Sequence, residues 1–461
     1  MHGSQTPMGQ SDVIVVGAGI SGLVAAHQLV RQGLSVRVLE ARDRVGGRVF
    51  EMRSENGYLL PVGAQFTGAP DEKTIRALIA ELGLEMCRLR FSRRLIIRLL
   101  GQQKILEIDP ATFSGEELLS GEHLLPSDAW EVIERLEELS QQVPIEAPHL
   151  APRAAEWDAI SAQDWLDQAL QGASYQTLLN RFFDMATGVA LDECSFLYFL
   201  FRWRAIESRI VDDQQIKGGA QQIPLRLAAI LGDRVHLEAP VRALQQHAEG
   251  IVVDSDAGAF EGRYAIVAIP PLLSGQIVYS PPLPDERVRL LRQMKGESVV
   301  KCFAIYKAAF WREADLGWVF TDDGPLTLIF DNSPDDGACG ILSGLMTGSR
   351  GRKWRQHSQA ERREAVLHQL ADLFGPQAKA PLEYVDLNWY GEPWTDGCFT
   401  TVVSPGGALA AYGAIWRQPM GRIHWAGTET ATDWASSMEG AARAGERAAA
   451  EVMARVRSAA V

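Results

Sequence analysis

Apolar and polar positions fall in blocks whose period changes along the chain. The run Val13-Ile14-Val15-Val16 predicts a buried strand leading into Gly17-Ala18-Gly19-Ile20-Ser21-Gly22. Leu23, Val24, Ala26, Leu29 and Val30 then recur at helical spacing, with Gly33 placed to end the helix. Residues 36–39 read as a second strand that delivers Glu40, and Arg44-Val45-Gly46-Gly47-Arg48 follows directly. Residues 74–84 carry a helical pattern. Residues 87–100 alternate apolar with Arg88, Arg90, Arg93, Arg94 and Arg98, which predicts a strand with a solvated basic face. Residues 127–209 are mostly helical, with proline punctuation at 144–152. Strand signals return after Lys217-Gly218-Gly219. Residues 235–237 and 250–253 bracket a hairpin-like region, and residues 264–269 read as a buried strand stopped by Pro270 and Pro271. Another apolar strand covers 298–306, mixed signals run to 388, a strand is expected at 422–425, and an alanine-rich helix at 438–456.

The order strand, glycine turn, helix, strand, carboxylate is that of a dinucleotide-binding βαβ unit. Gly17 permits the turn, Gly19 lets the backbone approach a pyrophosphate, and Gly22 lets the helix pack on the strand. The free N–H groups and dipole of the helix N-terminus favour a phosphate there. Glu40 lies about 20 residues on, where a carboxylate can accept hydrogen bonds from ribose hydroxyls. The matching strand and helix near the C-terminus lie far downstream. A discontinuous dinucleotide-binding domain is therefore expected, in segments 1–85, 216–288 and 388–461, with a second domain inserted as 86–215 and 289–387. The expected class is α/β, mixed with α+β: a Rossmann-like domain carrying an inserted domain of sheet plus helices.

Composition narrows the partners. The chain has 461 residues, 46% of them hydrophobic and 22% charged, with a net charge of −13. Such a balance suits a globular protein and disfavours nonspecific nucleic-acid binding, which needs a basic surface. No apolar run approaches the length of a membrane span, and residues 1–10 lack the blocks of a secretory signal. Five scattered cysteines (Cys87, Cys194, Cys302, Cys339, Cys398) form neither a CxxC nor a His/Cys cluster, so no metal site is expected and a reducing, cytoplasmic setting fits best.

Three later segments bear on the cofactor. A helix starting near Met438, after a Gly/Thr/Ser loop, would place partial positive charge against a reduced flavin. Lys301 interrupts an apolar strand, where a lysine is either functional or reaches solvent with its head. Trp394-Thr395-Asp396-Gly397-Cys398-Phe399-Thr400-Thr401 sets a thiol and a ring in a glycine-marked loop.

With these residues in view, the chain resembles the flavin-dependent monoamine oxidase family, as a soluble microbial-type member, over nearly its whole length. The resemblance rests on Gly17 to Gly22, Arg44 to Arg48, Gly63-Ala64-Gln65-Phe66, Glu156-Trp157-Asp158, Ala268-Ile269-Pro270-Pro271, Val300-Lys301-Cys302, Asp396 to Thr401, Trp425 to Thr432 and Met438-Glu439-Gly440. It implies FAD as the cofactor. Gly17, Gly19, Gly22, Glu40, Arg42 and Arg48 would hold its ADP half, and Val241 would contact the adenine region through its backbone. Gly63, Ala64, Trp389, Thr428, Glu429 and Met438 complete the cofactor set, the last three at the ring. Lys301 matches the family lysine that holds a water at flavin N5. Cys398 matches the cysteine that, in animal members, forms a thioether to the flavin. Phe399 and Ser437 stand where the family places two facing tyrosines, so half of an aromatic cage is missing and a bulkier substrate has room. Phe66, Met185, Ile210, Leu328 and Leu345 are further pocket candidates.

The implied reaction is oxidation of a small amine to an imine, with O2 reoxidising the flavin to give H2O2; water then hydrolyses the imine. No membrane-anchoring tail like that of the animal enzymes is expected, and the resemblance is compatible with a homodimer. Two alternatives stay open. One is an L-amino-acid oxidase or biosynthetic oxidase on a larger amine, whose mark would be a carboxylate-binding arginine such as Arg93 or Arg94. The other is a flavin-binding sensor without turnover.

Overall fold

The computed structural model describes residues 10–67, 69, 71–99, 101–109, 127–170, 176–206 and 214–459. The strand Gln10–Val16 is buried on both faces because it lies mid-sheet, between Val36–Leu39 and Gly258–Val267, parallel to both. Among the described residues the full sheet has eight strands. Seven follow the order 235–236, 36–39, 10–16, 258–267, 251–255, 241–246, 278–280, and Ile423–Trp425 adds in parallel to the C-terminal half of 258–267. N-terminal, central and C-terminal segments therefore share one sheet.

The helix Ile20–Arg31 leaves the first strand through Gly17, whose φ of +101° suits glycine. It ends at Gln32 with Gly33 at φ +85°, donating to the Val30 carbonyl. The helix Met438–Ser458 lies along it. A side chain on Gly445 would stand 2.3 Å from the Ser21 carbonyl oxygen, so the two backbones meet through that glycine.

A second sheet of seven strands runs in the order 383–388, 300–306, 340–346, 328–331, 316–321, 94–99, 102–107. Only the 316–321 and 94–99 pair is parallel. Helices Ser127–Ser140, Ala154–Ala159, Ala162–Ala169, Gln176–Thr187 and Phe196–Ile206 gather around an aromatic-rich core beside it.

Three expectations change. Residues 235–236 extend the large sheet beside Val36–Leu39 in parallel, and the hairpin is instead Val241–Gln246 with Ile251–Ser255. The basic stretch is two short strands, Met86–Arg88 and Arg94–Leu99, in different sheets. Pro271 opens a short helix instead of merely stopping a strand, because a proline lacks only an N–H that the first turn does not need. Among the described residues no helix is long and apolar enough to cross a membrane.

Candidate functional site

The carboxyl ends of the parallel strands open into a cleft. It is lined by Gly17, Gly19, Glu40, Arg42, Val241 and Arg242 and by Cys398, Phe399, Thr428, Ser437 and Met438. Ala64 lines it as well. The glycines of the opening motif divide the work. A side chain on Gly22 would meet the Gly17 carbonyl oxygen at 2.0 Å, and one on Gly17 would meet Ala268 at 2.9 Å, so both positions are closed by the protein itself. One on Gly19 would meet nothing within 4 Å; its missing side chain is space in the cleft. That space, at the start of a helix whose N-cap residue is Gly19 itself, fits a phosphate.

Glu40 is buried, with Oε2 accepting from the Ala18 N–H at 2.8 Å and Oε1 from the Arg42 N–H at 3.0 Å. A carboxylate so held has lone pairs left for further donors. The Arg42 guanidinium donates to the Trp394 carbonyl (3.1 Å) and Thr395 Oγ1 (2.6 Å), tying the loop that precedes Cys398 to the Glu40 turn.

Arg48, expected with the ADP half, lines the same cleft as Glu40 and Arg42. Its guanidinium donates to the Phe399 carbonyl (2.9 Å) and to both carboxylate oxygens of Glu429 (2.6 and 3.0 Å), so it stands with the residues expected at the ring. Burial opposes both charges, yet each partner overrides it for the other: the Arg48 pKa is raised and that of Glu429 lowered. Gly63 lies behind the cleft wall, where a side chain would come within 2.1 Å of the Arg48 carbonyl oxygen. Trp389 is fully buried; its indole donates to the Val62 carbonyl at 2.8 Å, and its carbonyl accepts from the Gly397 N–H at 3.0 Å, which braces the Cys398 loop from below. Thr428 Oγ1 donates to the Ser437 carbonyl at 3.1 Å, and Met438 begins the long helix.

Lys301 does not reach solvent. It is 5% exposed, and its ammonium donates to Gln65 Oε1 (3.0 Å) and the Gly63 carbonyl (3.2 Å). Phe66, Phe303 and Phe330 surround it at about 6 Å. Burial lowers its pKa to about 7, against opposing pulls from Cys398 and Glu51. Burial likewise pushes the Cys398 thiol up to about 12, with Arg48 pulling the other way.

Phe66, Leu328, Leu345, Trp389, Cys398 and Phe399 share one apolar cluster. Leu328 and Leu345 are direct cross-strand partners, and the Phe66 ring meets Phe330 edge-on at 5.4 Å. Ser437 lines the cleft, but its hydroxyl is committed: it accepts from the Gly440 N–H (3.0 Å) and donates to the Trp434 carbonyl (2.7 Å), capping the last helix. The side chain of Met185 and all of Ile210 lie outside the described residues. Arg93 and Arg94 stand apart from this cluster. Arg93 is exposed, and the strand's alternation sends Leu95, Ile97 and Leu99 into the cluster while Arg94, donating to the Ala314 carbonyl, shares parity with Ile96 of the opposite core. Gln65, Glu297 and Arg202 escaped the sequence reading, since nothing in the pattern around them marks a buried polar group; only Gln65 had a signal, its place beside Phe66 in the Gly63 motif.

Residues 20–453 match the family model described as flavin containing amine oxidoreductase. The chain is 35% identical over 461 residues to amine oxidase [flavin-containing] B of Sus scrofa, covering 96% of this chain and 86% of that protein. It is 33% identical over 456 residues to amine oxidase [flavin-containing] A of Equus caballus, covering 96% and 85%. Among solved structures, wild-type putrescine oxidase bound to putrescine superposes with a TM-score of 0.86 at 30% identity, over 97% of this chain and 100% of that one. Cyclohexylamine oxidase from Brevibacterium oxydans gives 0.86 at 29% identity, over 97% and 99%.

Proposed function

Because this chain belongs to the flavin-containing amine oxidoreductase family and is an FAD-dependent amine oxidase, we propose a specific division of labour along its cleft. Gly17, Gly19, Gly22, Glu40, Arg42 and Val241 hold the ADP half of FAD. Ala64, Trp389, Cys398, Thr428, Glu429 and Met438 form the ring end, with Gly63 and Arg48 fixing the wall behind it. The observation that carries this reading is that Cys398, Phe399 and Ser437 line the same cleft as Gly19 and Glu40, with the buried amine of Lys301 beside the apolar cluster that holds Cys398 and Phe399.

Bound FAD supplies the two-electron acceptor and, reoxidised by dioxygen, yields hydrogen peroxide. The substrate R–CH2–NH2 loses its α-hydrogen with the electron pair and an N–H proton, leaving R–CH=NH; water converts this to the aldehyde and ammonia. The chain's own part is to bind, orient and keep water out. The cluster around Phe66, Leu328 and Leu345 disfavours an ammonium and so favours the reactive neutral amine. The Phe399 ring orients it, and Ser437 leaves the opposite wall open, which suits an amine broader than a flat one. Lys301, with one face on Gln65 and Gly63, holds a water beside the reacting edge. Cys398 would hold the cofactor covalently: its sulfur would replace one hydrogen of the flavin 8α-methyl, an S–H and a C–H bond breaking with loss of two protons and two electrons, the electrons passing to the flavin and from it to dioxygen. Five free cysteines and the absence of a disulfide among the described residues support a cytoplasmic setting.

A peroxide-coupled screen over primary, secondary and polyamine substrates tests the reading, with anaerobic bleaching of the yellow holoenzyme as its control. Peroxide from benzylamine but not from phenylalanine is expected. The reverse outcome would establish an amino-acid oxidase, and a flavin that no amine bleaches would establish a sensor.

A further inference from the structure

Behind the two cage positions lies a buried ion pair that holds Phe399 by its backbone N–H and reaches the hydroxyl of Ser436, the neighbour of Ser437. Arg202 projects from the helix Phe196–Ile206, and Glu297 stands just before the strand Val300–Tyr306. Their side chains are 6% and 2% exposed, and the guanidinium lies 3.4 Å from Glu297 Oε1. The other carboxylate oxygen, Oε2, accepts from the N–H groups of Phe399 (2.9 Å) and Thr400 (3.1 Å). The Glu297 backbone adds two more bonds to the same loop: its carbonyl accepts from the Cys398 N–H (3.1 Å) and its N–H donates to the Thr400 carbonyl (3.1 Å). Phe399 is thus gripped on both sides, its N–H by Glu297 and its carbonyl by Arg48. On the far side, the same Arg202 nitrogen donates to the hydroxyl of Ser436, a residue at φ +75° that lines the cleft next to Ser437.

A buried ion pair is a poor device for stability alone, since apolar side chains of equal volume fill such a space without desolvation. What an apolar pair cannot do is accept two backbone N–H groups from one loop while donating to a hydroxyl on another. We infer that Arg202 and Glu297 are positioning residues that tie the Cys398–Thr400 loop to the Ser436–Ser437 turn and so fix the separation of Phe399 and Ser437, which sets the width of amine the site accepts. The inference rests on the proposed placing of substrate between those two residues. Neither side chain lines the cleft; both act through the loops that do.

The test compares wild-type holoenzyme with Glu297→Gln, Arg202→Met and the double variant, measuring Tm, the visible circular dichroism of the bound flavin, and kcat and KM for n-propylamine, benzylamine and cyclohexylamine. Each single variant leaves one buried charge without its partner, so both should lower Tm. The double variant removes both charges and keeps an amide oxygen for the Phe399 and Thr400 N–H groups, so its Tm should recover. Its tie to Ser436 stays broken. The KM ratio of cyclohexylamine to n-propylamine should therefore shift about tenfold in the double variant, as expected for loss of one hydrogen bond to a charged group, with kcat changing far less. The flavin dichroism should shift with it. A double variant with wild-type KM ratios and dichroism overturns the inference, whatever the single variants do, and leaves the pair a matter of folding only. A wild-type flavin that no amine reduces would instead refute the proposed function, and that result appears before any variant is made.

Discussion

Lys301 is the side chain on which pH should act most directly. Its pKa of about 7 lies below the ordinary 10.5, so between those values the unfolded chain binds a proton that the folded one does not. Stability contributed at this residue therefore rises from about pH 7 to about pH 10.5 and is lowest below pH 7. Lys301→Met should raise Tm, by an amount on the order of a few kcal/mol near pH 6 that fades toward pH 10. Thermal scans across that range check it. The same variant should slow flavin reoxidation and erase its inflection near pH 7 in stopped-flow measurements. The opening glycines give a second test at this scale. Gly19→Ala should leave the Tm of the FAD-free protein unchanged while weakening FAD binding, because its methyl would occupy only cleft space. Gly22→Ala should destabilise the fold itself by about 1–3 kcal/mol or more, since its methyl would overlap the Gly17 carbonyl. Equal effects of the two on Tm would show that the division of roles is mistaken.

At the scale of elements, the Cys398 loop is held by Trp389 beneath, Arg42 at its N-terminal side and Glu297 behind, so it presents one thiol and one ring to the cleft in a fixed pose. Acid precipitation of the holoenzyme should carry the yellow colour into the pellet; in Cys398→Ala the colour should stay in the supernatant while the folded protein still binds FAD. The first βαβ unit was legible residue by residue, because a parallel strand buried on both faces and a helix start each have a local signature. Ser437 was legible as a residue beside the cleft. Its capping bonds were not, because a serine before a helix reads the same whether or not it also faces a pocket. Arg48 shows the other limit: nothing local says that a guanidinium will pair with a glutamate 381 positions away.

For the whole molecule, the large sheet is assembled from three distant segments, and the helix Met438–Ser458 closes it against the helix Ile20–Arg31. Gly445 is the contact where this closure is tightest. Gly445→Val should lower Tm and FAD retention together, by an amount equivalent to about 1–3 kcal/mol, because the first helix cannot withdraw without moving the glycine turn that feeds it. Normal FAD retention in a destabilised Gly445→Val protein would show that closure and binding are independent. The amino-acid sequence by itself determined the parts with short-range causes, the dinucleotide-binding unit and the loop bearing Cys398, while the family and its flavin followed from the resemblance carried by motifs along the whole chain. Turn glycines, helix periodicity and strand burial are written into neighbouring residues. Only the tertiary structure decided that Lys301 is enclosed and lowered in pKa, that Arg48 pairs with Glu429, and that Arg202 and Glu297 join the Phe399 loop to Ser436. Desolvation and ion pairing depend on which distant elements pack together, and no local spacing encodes that.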